Sequence, residues 1–102
     1  MFEAMFLVPK QDNDGQAFDV AHDSALEVEA LKLFGGFTWR GEAVGGWKDD
    51  AGRVYHDASR TFIVVTASIV DGAKLGQLAA FLKAHYRQEA VYLTYLGQAE
   101  IL

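Results

Sequence analysis

One apolar stretch in the middle of the chain decides the fold: Thr61-Phe62-Ile63-Val64-Val65-Thr66-Ala67. β-Branched and aromatic residues dominate it, which is typical of a strand in the centre of a sheet. Upstream, residues 37–47 form a second strand-like segment, and the turn-forming residues 48–52 separate the two. Strands joined by a short turn rich in Asp and Gly pair with each other, so we predict a β-hairpin of residues 37–47 and 53–69.

The segments that flank this hairpin alternate between strand and helix periodicity. They are a strand over 2–8, a helix over 19–34, a helix over 73–87 and a strand over 90–96, the last with a continuation that ends at Ile101. Pro9 ends the first strand, and Gly35 caps the first helix. The order β-α-β-β-α-β predicts a ferredoxin-like α+β fold, a two-layer sandwich with an antiparallel sheet and both helices on one face.

The first predicted helix has two apolar stripes. A broad stripe contains Val28 and Leu31, and a narrower one on nearly the opposite side contains Leu26, Ala30 and Leu33. We expect the broad stripe to face the sheet and the narrow stripe to be available for another contact. The predicted strands are apolar on both sides, but both predicted helices lie on the same face of the sheet, so the other apolar face is left uncovered. We therefore expect a homodimer.

Composition is that of a globular domain. The 102 residues are 51% hydrophobic and 23% charged, with no apolar run long enough to span a bilayer. We therefore expect one domain over residues 1–102 and no membrane contact. The N-terminus lacks a signal-peptide pattern, which indicates a cytoplasmic location. The formal net charge of −5 and the missing RNP1 pattern argue against nucleic acid as a partner.

Metal chemistry is not indicated by the sequence. There is no cysteine, and two of the three histidines stand in the dipeptides His22-Asp23 and His56-Asp57, a pairing found in metal phosphohydrolases. Such enzymes need further His and Asp ligands on a larger helical scaffold. We therefore predict no metal and no cofactor.

Two loop-like segments have simpler interpretations than ligand binding. Residues 10–15 lack two carboxylates that a calcium loop requires, so we predict an Asx turn there. The glycine-rich residues 41–46 lack the helix that must follow a phosphate-binding loop, so we predict a bulged or bent strand.

Short glycine and aromatic motifs run along most of the chain. They are Phe34-Gly35-Gly36-Phe37-Thr38, Gly46-Trp47, Tyr55 with Asp57 and Arg60, and Gln88-Glu89-Ala90-Val91-Tyr92. In these motifs the chain resembles an uncharacterised family of small bacterial, phage or plasmid proteins. The resemblance implies an α/β sandwich of the kind already predicted, and it implies no settled activity.

Residues 53–60 carry most of the groups capable of chemistry. Strand alternation places Tyr55, Asp57 and Ser59 on one side and His56 and Arg60 on the other. We expect Asp57 to form an ion pair with Arg60, or with Arg40 on the preceding strand, that stiffens the hairpin.

The same region could instead form a pocket. Asp57 or His56 would then act as a general base beside aromatic side chains. We expect Gln88 and Glu89, before the last strand, to cap the preceding helix, with a place at the mouth of a ligand site as the alternative. The candidate pocket or structural cluster consists of Trp39, Arg40, Trp47, Tyr55, His56, Asp57, Arg60, Gln88 and Glu89.

Three functions remain open from the sequence. The first is a dimeric protein-binding or regulatory module, which includes an inhibitor encoded by a mobile element. The second is a small dimeric α/β-barrel enzyme, and the third is a small-molecule sensor. We rank the module first because no catalytic set is complete. A deep pocket with two convergent titratable groups would favour the enzyme.

Overall fold

A computed structural model describes residues 1–66, 71–95 and 98–101 of the chain. The elements are β1 (Phe2–Pro9), α1 (Val20–Phe34), β2 (Thr38–Lys48), β3 (Val54–Thr66), α2 (Gly72–His85), β4 (Tyr92–Tyr95) and β5 (Gln98–Ile101). The predicted order and the short terminal strand are confirmed. Positions 67–69 of the predicted hairpin and position 96 of the predicted last strand lie outside the described residues.

The strands form one antiparallel sheet in the order β2-β3-β1-β4-β5. The central pair runs from Phe2 opposite Thr66 to Pro9 opposite Ser59. The two strands that the sequence marks as most apolar therefore lie side by side. With β5 added at one edge, this is the predicted ferredoxin-like arrangement.

The hydrophobic core lies between the sheet and the two helices. Its buried members are Ala4, Phe6, Val8, Leu26, Ala30, Phe62, Val64, Leu75, Leu78, Ala79, Leu82, Tyr86, Val91 and Leu93. Alternate residues of β1 and β3 point into this layer, as a strand period of two requires. The helical spacing of residues 75–86 places their apolar side chains on the same core, as predicted from the sequence.

The assignment of the two stripes of α1 was wrong. Leu26 and Ala30 are fully buried against the core, whereas Val28 is 64% exposed and Leu31 is 49% exposed. The narrow stripe therefore faces the sheet, and the broad stripe faces away from it. Asp23 lies one turn before Leu26 on the buried side, which brings a carboxylate to the edge of the core.

Both ends of α1 are capped, and the cap at Gly35 is the one that the sequence predicts. The Asp19 side chain accepts a hydrogen bond from the backbone N–H of His22 at 2.8 Å. At the other end Gly35 has a φ of 78°, and its N–H donates to the carbonyl of Leu31. Glycine adopts this left-handed conformation without the steric cost of a Cβ. The caps fix where α1 begins, and so fix the position of Asp23.

β2 and β3 continue beyond the end of β1 as a two-stranded arm, residues 44–58. At its root the register of β2 shifts between Trp39 and Glu42, and Gly41 there has a φ of 76°. The predicted bend is therefore a β-bulge. The predicted Asx turn is also present, because Asp12 Oδ1 accepts hydrogen bonds from the N–H groups of Asp14 and Gln16.

The sheet face opposite the helices mixes apolar and charged side chains. Met5 and Leu7 of β1 are half-buried there, and Val65 of β3 is exposed. Arg40 reaches across from β2 to form an ion pair with Glu3 at 3.0 Å. In the described part of the chain, neither helix has the length and apolar character needed to cross a bilayer.

Candidate ligand-binding site

A buried ion pair joins α1 to the sheet. Both terminal nitrogens of Arg60 donate to the Asp23 carboxylate, at 2.6 and 2.8 Å. The Tyr86 hydroxyl, at the end of α2, donates to Asp23 Oδ1 at 2.7 Å. Asp23 is 8% exposed, so these three hydrogen bonds compensate a carboxylate that has lost most of its water.

The network shifts the acidities of its members. Burial alone would raise the pKa of Asp23, but the hydrogen bonds from Arg60 and Tyr86 and the Arg60 charge together hold it below its ordinary value. The hydrogen bonds to Asp23 raise the pKa of Arg60. Burial, followed by the hydrogen bond to Asp23, raises the pKa of Tyr86 far above its ordinary range. The network therefore favours Asp23 as a carboxylate, Arg60 as a charged guanidinium and Tyr86 as a neutral phenol.

The predicted ion pair of Asp57 with Arg60 or Arg40 is not formed. Arg60 bonds to Asp23, Arg40 bonds to Glu3, and Asp57 accepts a hydrogen bond from Trp47 Nε1 at 2.7 Å. Strand alternation explains the difference, because it turns Arg60 toward the helices and Asp57 toward the opposite face. The sequence placed the two side chains on opposite sides correctly, but it did not identify the helical partner of Arg60.

Trp39 lies over this ion pair. The Arg60 guanidinium carbon is 4.6 Å from the centre of the indole ring, within the range of a cation–π interaction. The indole Nε1 donates to Glu27 Oε2 on α1 at 2.8 Å, and the ring packs edge-on against Phe62. Trp39 is therefore held by the sheet, the helix and the ion pair together.

These side chains surround a cavity of about 290 Å³ between the first half of α1 and the root of the arm. Its lining is Val20, Asp23, Glu27, Trp39, Gly41 and Arg60. Gly41, at the bulge, lines the cavity, and no atom lies within 4 Å of the position that a Cβ there would occupy. The cavity is mainly apolar with a few convergent polar groups, which is the usual character of a small-molecule site.

A second cavity of about 520 Å³ lies near the end of α1 and the start of β2. Phe34, Phe37 and Ile63 contribute to its wall, and Lys74 of α2 is at its edge. It is larger, but Trp39 and the Asp23–Arg60 pair are not part of its lining. We therefore take the cavity beside Trp39 as the candidate site.

The predicted cluster is divided by the structure into separate places. Trp39 and Arg60 line the cavity. On the arm, Trp47 stacks on Tyr55 with ring centres 4.5 Å apart, and the neighbouring His56 is exposed. The Tyr55 hydroxyl donates to Asp49 in the turn at 3.2 Å. These arm residues stiffen the hairpin and do not line the cavity.

The residues after α2 are also outside the cavity. The Gln88 side-chain amide donates to the carbonyl of Tyr86 at 2.9 Å, so it caps the end of α2 as one of the two sequence interpretations expected. Glu89 is exposed on the following loop.

Sequence reasoning missed Asp23, Glu27 and Tyr86. A signal for Asp23 was available, since it shares a helical face with Leu26 and Ala30, and a carboxylate on a buried face requires a partner. Glu27 follows Asp23 by one turn and therefore lies on the same side of α1. Tyr86 lies at the helical spacing of the apolar residues of α2, and nothing in the sequence indicates a polar partner for its hydroxyl.

The two histidines at the helix ends were not expected to meet. His22 and His85 stack with ring centres 3.7 Å apart and planes inclined by 14°. His22 Nε2 is 2.8 Å from the carbonyl oxygen of His85, and His85 Nε2 is 2.7 Å from that of His22. A carbonyl oxygen only accepts, so both Nε2 atoms carry the proton. The pair joins the start of α1 to the end of α2.

Comparison with known proteins shows a shared fold. No family model matches the chain, and no curated protein matches it in sequence. Among solved structures, a phage SAM lyase in complex with S-methyl-5′-thioadenosine is similar with a TM-score of 0.76 and 15% identity, over 99% of this chain and 88% of that chain. A phage SAM lyase in the apo state is similar with a TM-score of 0.71 and 16% identity, over 99% and 87%. The chain thus shares the compact fold of these two phage SAM lyase structures.

Proposed function

We propose that this chain binds an adenosine thioether or sulfonium in the cavity beside Trp39 and acts as a lyase on S-adenosylmethionine (SAM). The observation that carries the proposal is the extent of the structural similarity, which covers almost all of both chains. Of the three functions that the sequence left open, this proposal takes the enzyme.

The side chains of the cavity suit such a ligand. The indole of Trp39 offers an aromatic surface to a purine or an alkylthio group, and Val20 adds apolar surface at the rim. Glu27 and the Asp23–Arg60 pair provide hydrogen-bonding groups of both signs. The volume is close to the lower end of the range for small-molecule sites, roughly 300–1,000 Å³, so the cavity fits part or all of a nucleoside.

The proposed reaction makes modest chemical demands on the protein. Cleavage of the bond between sulfur and the methionine-derived carbon chain leaves the electron pair on sulfur and releases neutral S-methyl-5′-thioadenosine. The remaining carbon fragment completes its valence by bonding to its own carboxylate or by losing a proton. Because the departing thioether is neutral, it needs no proton donor. The protein would contribute mainly by holding the substrate in one conformation.

The test is direct incubation with SAM. Release of S-methyl-5′-thioadenosine is followed by reversed-phase chromatography, and binding of that thioether is measured by calorimetry. Trp39→Ala removes a wall of the cavity and should weaken binding at least about tenfold, consistent with the loss of a buried aromatic contact. Trp47→Ala, which removes the other tryptophan from the arm, should leave both measurements unchanged. The proposal is wrong if the wild-type chain neither binds the thioether nor releases it.

A second proposal concerns self-association. Large apolar side chains are exposed on the outer side of α1, at Val28 and Leu31, and on the arm, where Trp47 is 52% exposed. Exposed aromatic and aliphatic side chains of this kind commonly mark a protein interface. We propose that Val28 and Leu31, on the outer side of α1, serve a homodimer.

A further inference from the structure

On the premise of the proposed function, we propose that the cavity selects a positively charged ligand over its neutral counterpart and that Glu27 determines this preference. The preferred ligand class is an adenosine carrying a sulfonium or an ammonium group near its 5′ position. The neutral counterpart is the corresponding thioether.

The charges around the cavity leave one carboxylate uncompensated. The Asp23 carboxylate and the Arg60 guanidinium neutralise each other through two short hydrogen bonds. Glu42, beyond the bulge, forms its own ion pair with Lys10. Glu27 has no ion pair within the described residues, so the cavity carries a formal charge of about −1 when these pairs are counted as neutral.

The position of Glu27 is fixed by a neutral donor. Trp39 Nε1 holds Oε2 at 2.8 Å, and within the described part of the chain no hydrogen bond reaches Oε1. Within the described residues, no cation pairs with this carboxylate, and Trp39 bonds only to its Oε2 atom. The Arg60 guanidinium already lies on the Trp39 ring, so Glu27 is the group that attracts an onium ligand at this site.

A preference for the charged ligand would favour release of the neutral product during turnover. The proposed substrate carries a positive charge at sulfur, and the thioether product does not. A site that recognises the charge binds the substrate more tightly than this product, and product release is then favoured once the carbon–sulfur bond is broken. Glu27 would thus be a specificity-determining residue.

The test compares ligands that react slowly or not at all. Sinefungin carries an amine where SAM carries its sulfonium, and S-adenosylhomocysteine has a neutral thioether at the same place. We expect calorimetry to show roughly tenfold tighter binding of sinefungin by the wild-type chain, as expected of a charge beside a carboxylate. Glu27→Gln retains an oxygen that can accept from Trp39 and should reduce this preference to within about twofold, while binding of S-adenosylhomocysteine is retained.

Glu29→Gln is the matched control, because it removes the same charge from α1 at a residue that does not line the cavity. It should leave the preference unchanged. The inference is overturned, and the proposed function stands, if the wild-type chain binds the two analogues with equal affinity. The same holds if Glu27→Gln lowers the affinity for both analogues by the same factor. If neither analogue nor S-methyl-5′-thioadenosine binds the wild-type chain, the proposed function fails and the inference fails with it.

Discussion

At the scale of single residues, the arrangement around Asp23 determines the candidate site. One carboxylate accepts from a guanidinium and a phenol that arrive from β3 and α2. Removal of one partner from a buried ion pair leaves the other charge buried and unpaired. This lowers the free energy of unfolding far more than the loss of an exposed pair does. Arg60 and Asp23 are 37 positions apart in sequence, so no local pattern could have paired them. The burial of Asp23 depends on which face of α1 meets the sheet.

We expect Asp23→Asn to lower the free energy of unfolding by about 3 kcal/mol, because Arg60 loses its anionic partner. Asp57→Asn should cost less than about 1 kcal/mol, since Asp57 is exposed and the described residues give it a single hydrogen bond, from Trp47. Urea unfolding followed by circular dichroism gives both values. Equal losses in the two variants would contradict the structural role assigned to Asp23.

The same carboxylate should make stability depend on pH. Burial opposes ionisation of Asp23, but Arg60 and Tyr86 outweigh it and hold its folded-state pKa below the ordinary value of about 4. In acid the unfolded chain therefore binds more protons at this residue than the folded chain does. The contribution of Asp23 is complete above about pH 4 and is lost as pH falls through its lower folded-state pKa.

Unfolding measured between pH 2 and pH 7 should thus show the wild-type chain approaching Asp23→Asn in stability as the pH falls. Glu42 and Asp49 also have lowered pKa values, the first mainly through Lys10 and the second mainly through a backbone hydrogen bond from Arg53. Both remain in the variant, so the difference between the two proteins isolates Asp23. A constant difference across this range would count against the expected linkage.

At the scale of elements, the two helices show where sequence patterns succeed and fail. The spacing of Leu75, Leu78 and Leu82 identified the buried side of α2, because that helix has a single continuous apolar face. α1 has two, and the exposed one contains Val28 and Leu31. The narrow stripe is buried because its small Ala30 allows close packing and because Arg60 compensates the adjacent Asp23.

The contact between the helices can be tested through the histidines. His85→Ala removes a ring stack and a hydrogen bond that joins α2 to α1, so we expect a loss of about 1–3 kcal/mol in the free energy of unfolding. His56→Ala provides the control, since this exposed histidine lies on the arm, and it should change stability by less than about 0.5 kcal/mol. Thermal unfolding of both variants measures the effect. A neutral result for His85→Ala would show that the stack adds nothing to the stability of the folded chain.

At the scale of the whole molecule, the order of helices and strands could be predicted from the sequence, whereas the candidate site could not. Alternation in residues 2–8 and 61–66 and the hairpin turn between the middle strands are enough to define the topology. The phage SAM lyases share this fold at 15–16% identity, so many side-chain sets satisfy the same pattern. The cavity beside Trp39 depends instead on a bulge at Gly41 and on contacts between distant residues.

The exposed apolar side chains of α1, Val28 and Leu31, favour self-association. Light scattering at micromolar concentration should give about twice the 11.2 kDa mass of one chain. Val28→Lys places a charge on the exposed side of α1 and should shift the protein toward the monomer. Ala84→Lys adds the same charge to an exposed position of α2 and serves as the control. A wild-type chain that stays monomeric at these concentrations would exclude the homodimer and leave Val28 and Leu31 for another partner.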